Sequence, residues 1–151
     1  LPLRPDLRNL RDANGDLIYR GPAWKARRAR LLERCGNKCE RCRKPNHETV
    51  ETITGLKWPD GRPAMLWRHT AGWLNAYGVL DRPRLREKLR RPRAIRVVLT
   101  MAHLTHDPLE NDDADLAMLC QWCHLNYDRL HHRDTRCERK DRARPLLQGV
   151  A

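Results

Sequence analysis

Phenylalanine is absent from this chain of 151 residues, and five Trp and three Tyr bring the aromatic share to only 5%. A core here must rest on Leu, Val, Ile and the tryptophans, which is thin for a chain with 33% charged residues. Long apolar runs are missing too. Nothing approaches the roughly 20 residues that cross a bilayer, and the first residues carry no apolar export segment, so a membrane location is excluded as an expectation and a cytoplasmic one adopted. Acidic residues are in deficit: 19 Asp and Glu stand against 31 Lys and Arg, a net charge of +12. That balance points to a polyanionic partner such as DNA, or to a basic surface that merely keeps the chain soluble; charge alone does not choose between them.

Six cysteines are present, but without an export signal they do not read as a disulfide framework. Four pair as Cys39-Glu40-Arg41-Cys42 and Cys120-Gln121-Trp122-Cys123. Two thiols at that spacing can grip one zinc ion, and two such pairs fill a tetrahedral shell, which makes structural Zn²⁺ the expected cofactor. Cys35 and Cys137 remain over; Cys35 is read as a buried or incidental thiol, with a spare ligand as the alternative. Cys120-x-x-Cys123-His124 also fits c-type haem attachment, but that requires export and leaves Cys39 and Cys42 idle. A thioredoxin-like motif would need a βαβ unit, which surrounds neither pair.

The length suits one domain. Residues 1–21 read as a loosely structured arm, with turn signals at Asn14-Gly15 and Gly21-Pro22. From Pro22, the spacing of Trp24, Arg27, Arg28, Leu31 and Leu32 predicts a helix ending near Gly36. Its apolar face would carry Trp24 and Leu31 with Ala23 and Cys35, leaving Arg27, Arg28, Arg30 and Arg34 to solvent or phosphate. Thr49 to Thr54 alternates as a strand, and Trp58-Pro59-Asp60-Gly61 is a turn that returns residues 62–67 as its partner. Residues 66–78, with Leu66, Trp67, Trp73, Leu74 and Tyr77, are compatible with a short helix whose aromatics pack in the core, base stacking being the alternative. Arg82, Arg84, Arg86, Lys88, Arg90, Arg91, Arg93 and Arg96 then form the densest positive stretch, assigned to contact with a nucleic-acid backbone. A β-branched run, Ile95 to Thr100, leads to His103. A turn-rich loop, the apolar Leu116 to Leu119 and a polar helix opening at Cys120 follow. Residues 129–144 alternate charges and read as a tail that either continues the helix across DNA or is disordered.

The ordered set Trp24 to Leu32, Cys39-x-x-Cys42, Ala102-His103-Leu104, Asp115-Leu116 and Leu119-Cys120-x-x-Cys123-His124 resembles the HNH endonucleases. These belong to the ββα-metal nucleases, and the resemblance is to the type with two C-x-x-C pairs, as in small bacterial and phage-encoded members. It implies an α+β fold in which a small ββα-metal core is stapled by a four-cysteine zinc site. The nuclease domain would span 22–132, with an N-terminal helix and an inserted hairpin or helical segment over 46–94, and a basic tail over 133–151. It implies a DNA-cleaving enzyme of a bacterial or phage-infected cell. By position in the motif, His103 is the general base, Asp115 stands where the family usually has Asn and orients that base, and His124 is a metal ligand.

Hydrolysing a phosphodiester needs an activated water and neutralisation of the charge that builds on phosphorus and the leaving oxygen, work suited to a neutral imidazole and a divalent cation. Asp128 lies one helical turn past His124 and can share its ion, Mg²⁺ or Mn²⁺, with Ni²⁺ or Zn²⁺ as alternatives. Ala102 departs from the pattern, because the residue before the base is commonly a ligand. His106 or Asp107 could take its place, the ion could keep more waters, or catalysis could be lost. His131 and His132 read as surface histidines. A silent zinc-stabilised DNA-binding module and a protein-binding accessory are the rival readings; the sequence names no protein partner.

Overall fold

Among the described residues the first helix, α1, covers Gly21–Arg34, and its second residue is proline. Proline is tolerated there because its missing N–H would have no intrahelical partner. The helix ends as expected at Gly36, in the left-handed region at φ +61°. The Gly36 N–H donates to Glu33 O (3.0 Å) and the Asn37 N–H to Leu32 O (2.8 Å), the two bonds of a Schellman cap. The computed structural model describes residues 20–81, 91–107 and 112–143, with positions 9, 11, 15 and 17 before them. The loosely structured arm and the basic positions Arg82, Arg84, Arg86, Lys88 and Arg90 lie outside the described residues, apart from those isolated positions.

Two antiparallel sheets follow. The larger has the order β4-β3-β2-β1-β5, built from β1 Thr49–Lys57, β2 Pro63–His69, β3 Gly72–Asn75, β4 Leu80–Asp81 and β5 Arg93–Arg96. The smaller is a hairpin of β6 Leu99–His103 and β7 Leu116–Cys120, and β7 runs directly into α2 Gln121–Tyr127. A final helix, α3, covers Arg129–Ala143, so a boundary after residue 132 falls inside it. Fold class is thus α+β, around a four-cysteine cluster.

Three expectations change. Residues 66–78 are not helical: Leu66 pairs with Asn75 and His69 with Gly72 across a tight turn. Ala64 to Trp67 are all buried, so both faces of β2 are covered and its two-residue period is hidden in the sequence. Tyr77 is not a core residue but 44% exposed. The run Ile95–Thr100 is not one strand. Ile95 belongs to the large sheet, opposite Val50, whereas Leu99 opens the hairpin, opposite Cys120.

The step between sheets is Val97–Val98. His47 N–H donates to Val97 O and Val97 N–H to Glu48 O, each at 2.8 Å. Buried Asn46 secures the next residue by accepting the Leu99 N–H at 3.0 Å on its side-chain oxygen. The inserted segment therefore leaves and re-enters the hairpin at one point.

The main core gathers Leu31, Met65, Trp67, Val97, Leu99, Leu116 and Met118 around the cysteines. Leu31 and Cys35 bring α1 onto it, while Ala23 is exposed, against expectation. Of the arginines of α1, Arg30 and Arg34 are exposed, as expected, and Arg27 and Arg28 are half-buried, yet all four also have partners in the protein. Arg28 donates to Leu99 O at 3.1 Å and Arg34 to Leu116 O at 2.6 Å, while Arg27 and Arg30 pair with Asp113 at 3.6 and 3.2 Å. One helix face thus clasps both strands of the hairpin. Leu31 is 1% exposed at the centre of this contact, so Leu31→Ala should cost about 2–5 kcal/mol in denaturant unfolding of the metal-loaded protein.

Candidate metal centre and histidine cluster

Cys39, Cys42, Cys120 and Cys123 are all buried, and their sulfurs lie within 4.8 Å of one another. Cys42 Sγ and Cys120 Sγ are 3.6 Å apart. A zinc ion with four bonds of about 2.3 Å holds its sulfurs about 3.8 Å from each other, so the cluster has the dimensions of a tetrathiolate shell and can hold a structural metal such as zinc. The first pair sits on a tight knuckle in which Arg43 N–H donates to Cys39 O (2.9 Å) and Cys39 N–H to Lys44 O (2.8 Å). The second pair straddles the junction of β7 and α2.

Glu40 joins the two halves, and nothing in the sequence marks it beyond its place inside a C-x-x-C. Its N–H donates to Met118 O at 3.0 Å, and its carboxylate accepts both the Met118 N–H (3.0 Å) and Arg34 (2.8 Å). Trp67 adds a further tie, its indole N–H donating to Cys42 O at 3.0 Å. The thiols compete for protons. Hydrogen bonding to Cys120 foremost pulls Cys39 below the ordinary thiol range, and bonding to Cys123 does the same to Cys120. Cys42 and Cys123 are pushed up, in each case first by the bond to Cys120. Deprotonated sulfurs are what a metal requires, and proton release accompanies its binding. Cys35 lies outside this group and donates to Leu32 O at 3.3 Å; Cys137 is exposed.

The structure brings a second group together at the end of the hairpin. His103 closes β6, and the chain turns at once, with His106 N–H donating to His103 O (3.3 Å) and His106 at φ +61°. Left-handed backbone is uncommon for a residue with a side chain. Here it accompanies the placement of the His106 ring, whose Nδ1 lies 3.4 Å from Asp128 Oδ1 and whose plane stacks on His131, 4.6 Å between centroids at 7°. Tyr127 pins the same turn through a hydrogen bond from its hydroxyl to Leu104 O. His124 Nε2 is 3.1 Å from Asp128 Oδ2, and His132 Nε2 is 3.9 Å from the same oxygen. Asp128 is therefore faced by three imidazoles, at the break between α2 and α3. His131 and His132 are exposed, as expected, yet both contact this group.

Thr100 was not singled out by sequence, though its place on β6 three residues before His103 is a signal. Its hydroxyl lies 2.8 Å from His124 Nδ1 and 3.4 Å from Leu119 O. It can donate to the ring nitrogen, or donate to the carbonyl and accept from Nδ1–H. The second arrangement leaves the Nε2 lone pair facing Asp128. Burial lowers the His124 pKa, opposed by the Asp128 charge, so the ring tends to the neutral form a metal ligand needs.

Other expected positions are less engaged. Asp115 is set level with the end of β6 by the bond from Leu104 N–H to its carbonyl, 2.8 Å. Ala102 is fully buried, pointing away from the face that carries His103. A ligand at 102 would point into the core, which accounts for alanine there. Of its two suggested substitutes, His106 faces Asp128, while Asp107 is exposed. Arg91, Arg93 and Arg96, the described part of the basic stretch, are exposed.

The metal-bound protein should contain about one tightly held zinc per chain by elemental analysis. Cys39→Ser or Cys120→Ser, or prolonged chelation, should abolish cooperative thermal unfolding, because binding free energy at such sites is folding free energy.

Comparison of the chain with protein-family models, with curated proteins and with solved structures yields no match, so the functional reading rests on the side chains themselves.

Proposed function

We propose that the protein is a metal-dependent endonuclease of the HNH type that hydrolyses DNA phosphodiester bonds. The observation that carries this reading is the pairing of Asp128 with His124 from α2 and His106 from the turn after His103. All of them sit on or beside a strand–strand–helix unit that the four-cysteine cluster ties to the knuckle of Cys39 and Cys42. The separation of 3.1 Å between His124 Nε2 and Asp128 Oδ2 matches the roughly 3.0 Å between adjacent ligands of an octahedral ion with bonds of about 2.1 Å. A divalent cation at these atoms would offset the negative charge that builds on the phosphoryl and leaving oxygens.

The remaining work belongs to the chain. His103 Nδ1 or Nε2 takes the proton of the attacking water, and Asp115, next to the Leu116 that pairs with His103, favours the protonated ring that results. His124 holds its Nε2 lone pair on the side of Asp128 when Thr100 accepts from Nδ1–H and donates its own hydroxyl hydrogen bond to Leu119 O. His106 supplies the imidazole that the buried position 102 cannot. The basic surface, including Arg91, Arg93 and Arg96, attracts the polyanion.

A catalytically silent DNA-binding module is the second reading, favoured by the burial of Ala102 in place of a ligand. Nicking of supercoiled plasmid with Mg²⁺ or Mn²⁺ separates the two. The enzyme reading expects metal-dependent nicking that falls at least about 100-fold in His103→Ala; salt-sensitive binding without nicking in any divalent ion supports the module. If Thr100 sets the His124 tautomer, Thr100→Val should raise the divalent-ion concentration for half-maximal nicking roughly 10- to 100-fold, with the rate at saturating metal far less affected.

A further inference from the structure

A cleft of about 270 Å³ opens on the large sheet, lined by Thr52, Ile53, Thr54 and Gly55 of β1 and by Arg91 and Arg93. It is many times the roughly 30 Å³ that one water molecule occupies. It lies where β1 outruns its neighbour: β5 pairs with Thr49 to Thr52 and stops at Arg93 opposite Thr52. Past that point the β1–β2 register shifts between Ile53 and Leu56, and Gly55 takes φ +73°. Such a bulge turns backbone groups out of the ladder. Arg91 and Arg93, two residues apart in extended chain, fall on one side of it, and both are exposed. Thr52 is 2% exposed, and its hydroxyl has no hydrogen-bond partner among the described residues. A buried hydroxyl left unpaired is costly and rare. Its presence beside two guanidinium groups marks a floor that lacks an acceptor.

We propose that this cleft seats a backbone phosphate of the nucleic acid, away from the histidine cluster. Arg91 and Arg93 neutralise the phosphate, and one of its oxygens, on reaching the floor, accepts a hydrogen bond from the Thr52 hydroxyl. The inference rests on the nucleic-acid part of the proposed function and not on cleavage. β5 continues through Val97–Val98 into β6, so Arg93 and His103 are ten residues apart on nearly extended chain and at most about 33 Å from each other. That bound falls within one turn of duplex, roughly 34 Å. One DNA molecule can therefore occupy both places, and the cleft would fix where along the duplex the histidines act.

The test is binding of a two-turn duplex to the zinc-loaded full chain, without added divalent ion, followed by fluorescence anisotropy across a salt series. Arg93→Gln should weaken binding roughly five-fold and reduce the slope of log K against log salt by about 0.9. Thr52→Val should weaken binding in the same direction while raising the melting temperature, since it removes the unpaired hydroxyl; a hydroxyl with no ligand role would give the rise in melting temperature alone. Unchanged affinity and salt slope in Arg93→Gln, with wild-type binding intact, would overturn the cleft and leave the nuclease reading standing. Binding without cleavage, still sensitive to Arg93→Gln, would overturn the nuclease and support the cleft. No duplex binding at low salt would overturn both, and displacement of the duplex by millimolar inorganic phosphate would assign the cleft to a free anion instead.

Discussion

Four sulfur atoms within 4.8 Å of one another join two parts of the chain separated by nearly eighty residues. Almost every other contact of consequence is arranged around that junction. Glu40 lies between the first two thiols and hydrogen-bonds the backbone of β7 in both directions, so the knuckle acts as a short extra edge to the hairpin. Trp67, the largest fully buried side chain, spends its polar atom on the carbonyl of Cys42. α1 closes the other side with Leu31 and Cys35, and Arg28 and Arg34 reach past them to strand carbonyls. A chain without phenylalanine has few large apolar side chains with which to build a core. Gathering its ordered segments about one buried cluster lessens the apolar area needed to keep them in place.

The same junction sets the histidine cluster. β7 ends in Cys120, α2 begins at the next residue, and Cys123 immediately precedes His124. Any displacement of the thiols therefore moves His124 and, a helical turn on, Asp128. His103 is held at the other end of the hairpin by its pairing with Leu116. The Tyr127 hydroxyl bond to Leu104 O and the His106–His131 stack then lock the turn after His103 against the helices. The cysteine cluster and the histidine cluster are thus linked through a few residues of regular backbone.

What was legible in the sequence follows from how local each signal is. The helix from Pro22 to Gly36, the strand from Thr49 and its return through Trp58 to Gly61 all rest on neighbouring residues, and all are present. The paired C-x-x-C spacing carried the cysteine cluster because a tetrahedral ion has few other ways to be met. The β2–β3 hairpin was missed because Ala64 to Trp67 are covered on both sides, leaving no alternation to detect. The split of Ile95 to Thr100 was missed because β-branched residues favour a strand without saying which sheet it joins. In the histidine cluster, His124 came from its place in the resembling motif, and Asp128 was readable from its place one helical turn further on. The role of Thr100, the approach of His106 through a left-handed turn and the bridging by Glu40 depend on tertiary neighbours, and no spacing announces them.

The bonds of His47 and Glu48 with Val97 bear on how this chain could change over generations. Everything from β1 to β5 departs and returns through that one doorway, with Asn46 as its latch on Leu99. Closing a loop costs entropy that grows only slowly with its length. The loops of the excursion can lengthen or shorten with little strain on the hairpin and thiols, provided that the doorway survives and β2 keeps Met65 and Trp67 in the core. The outer turns of the large sheet are thus places where new surfaces can be tried while the core beneath keeps its shape.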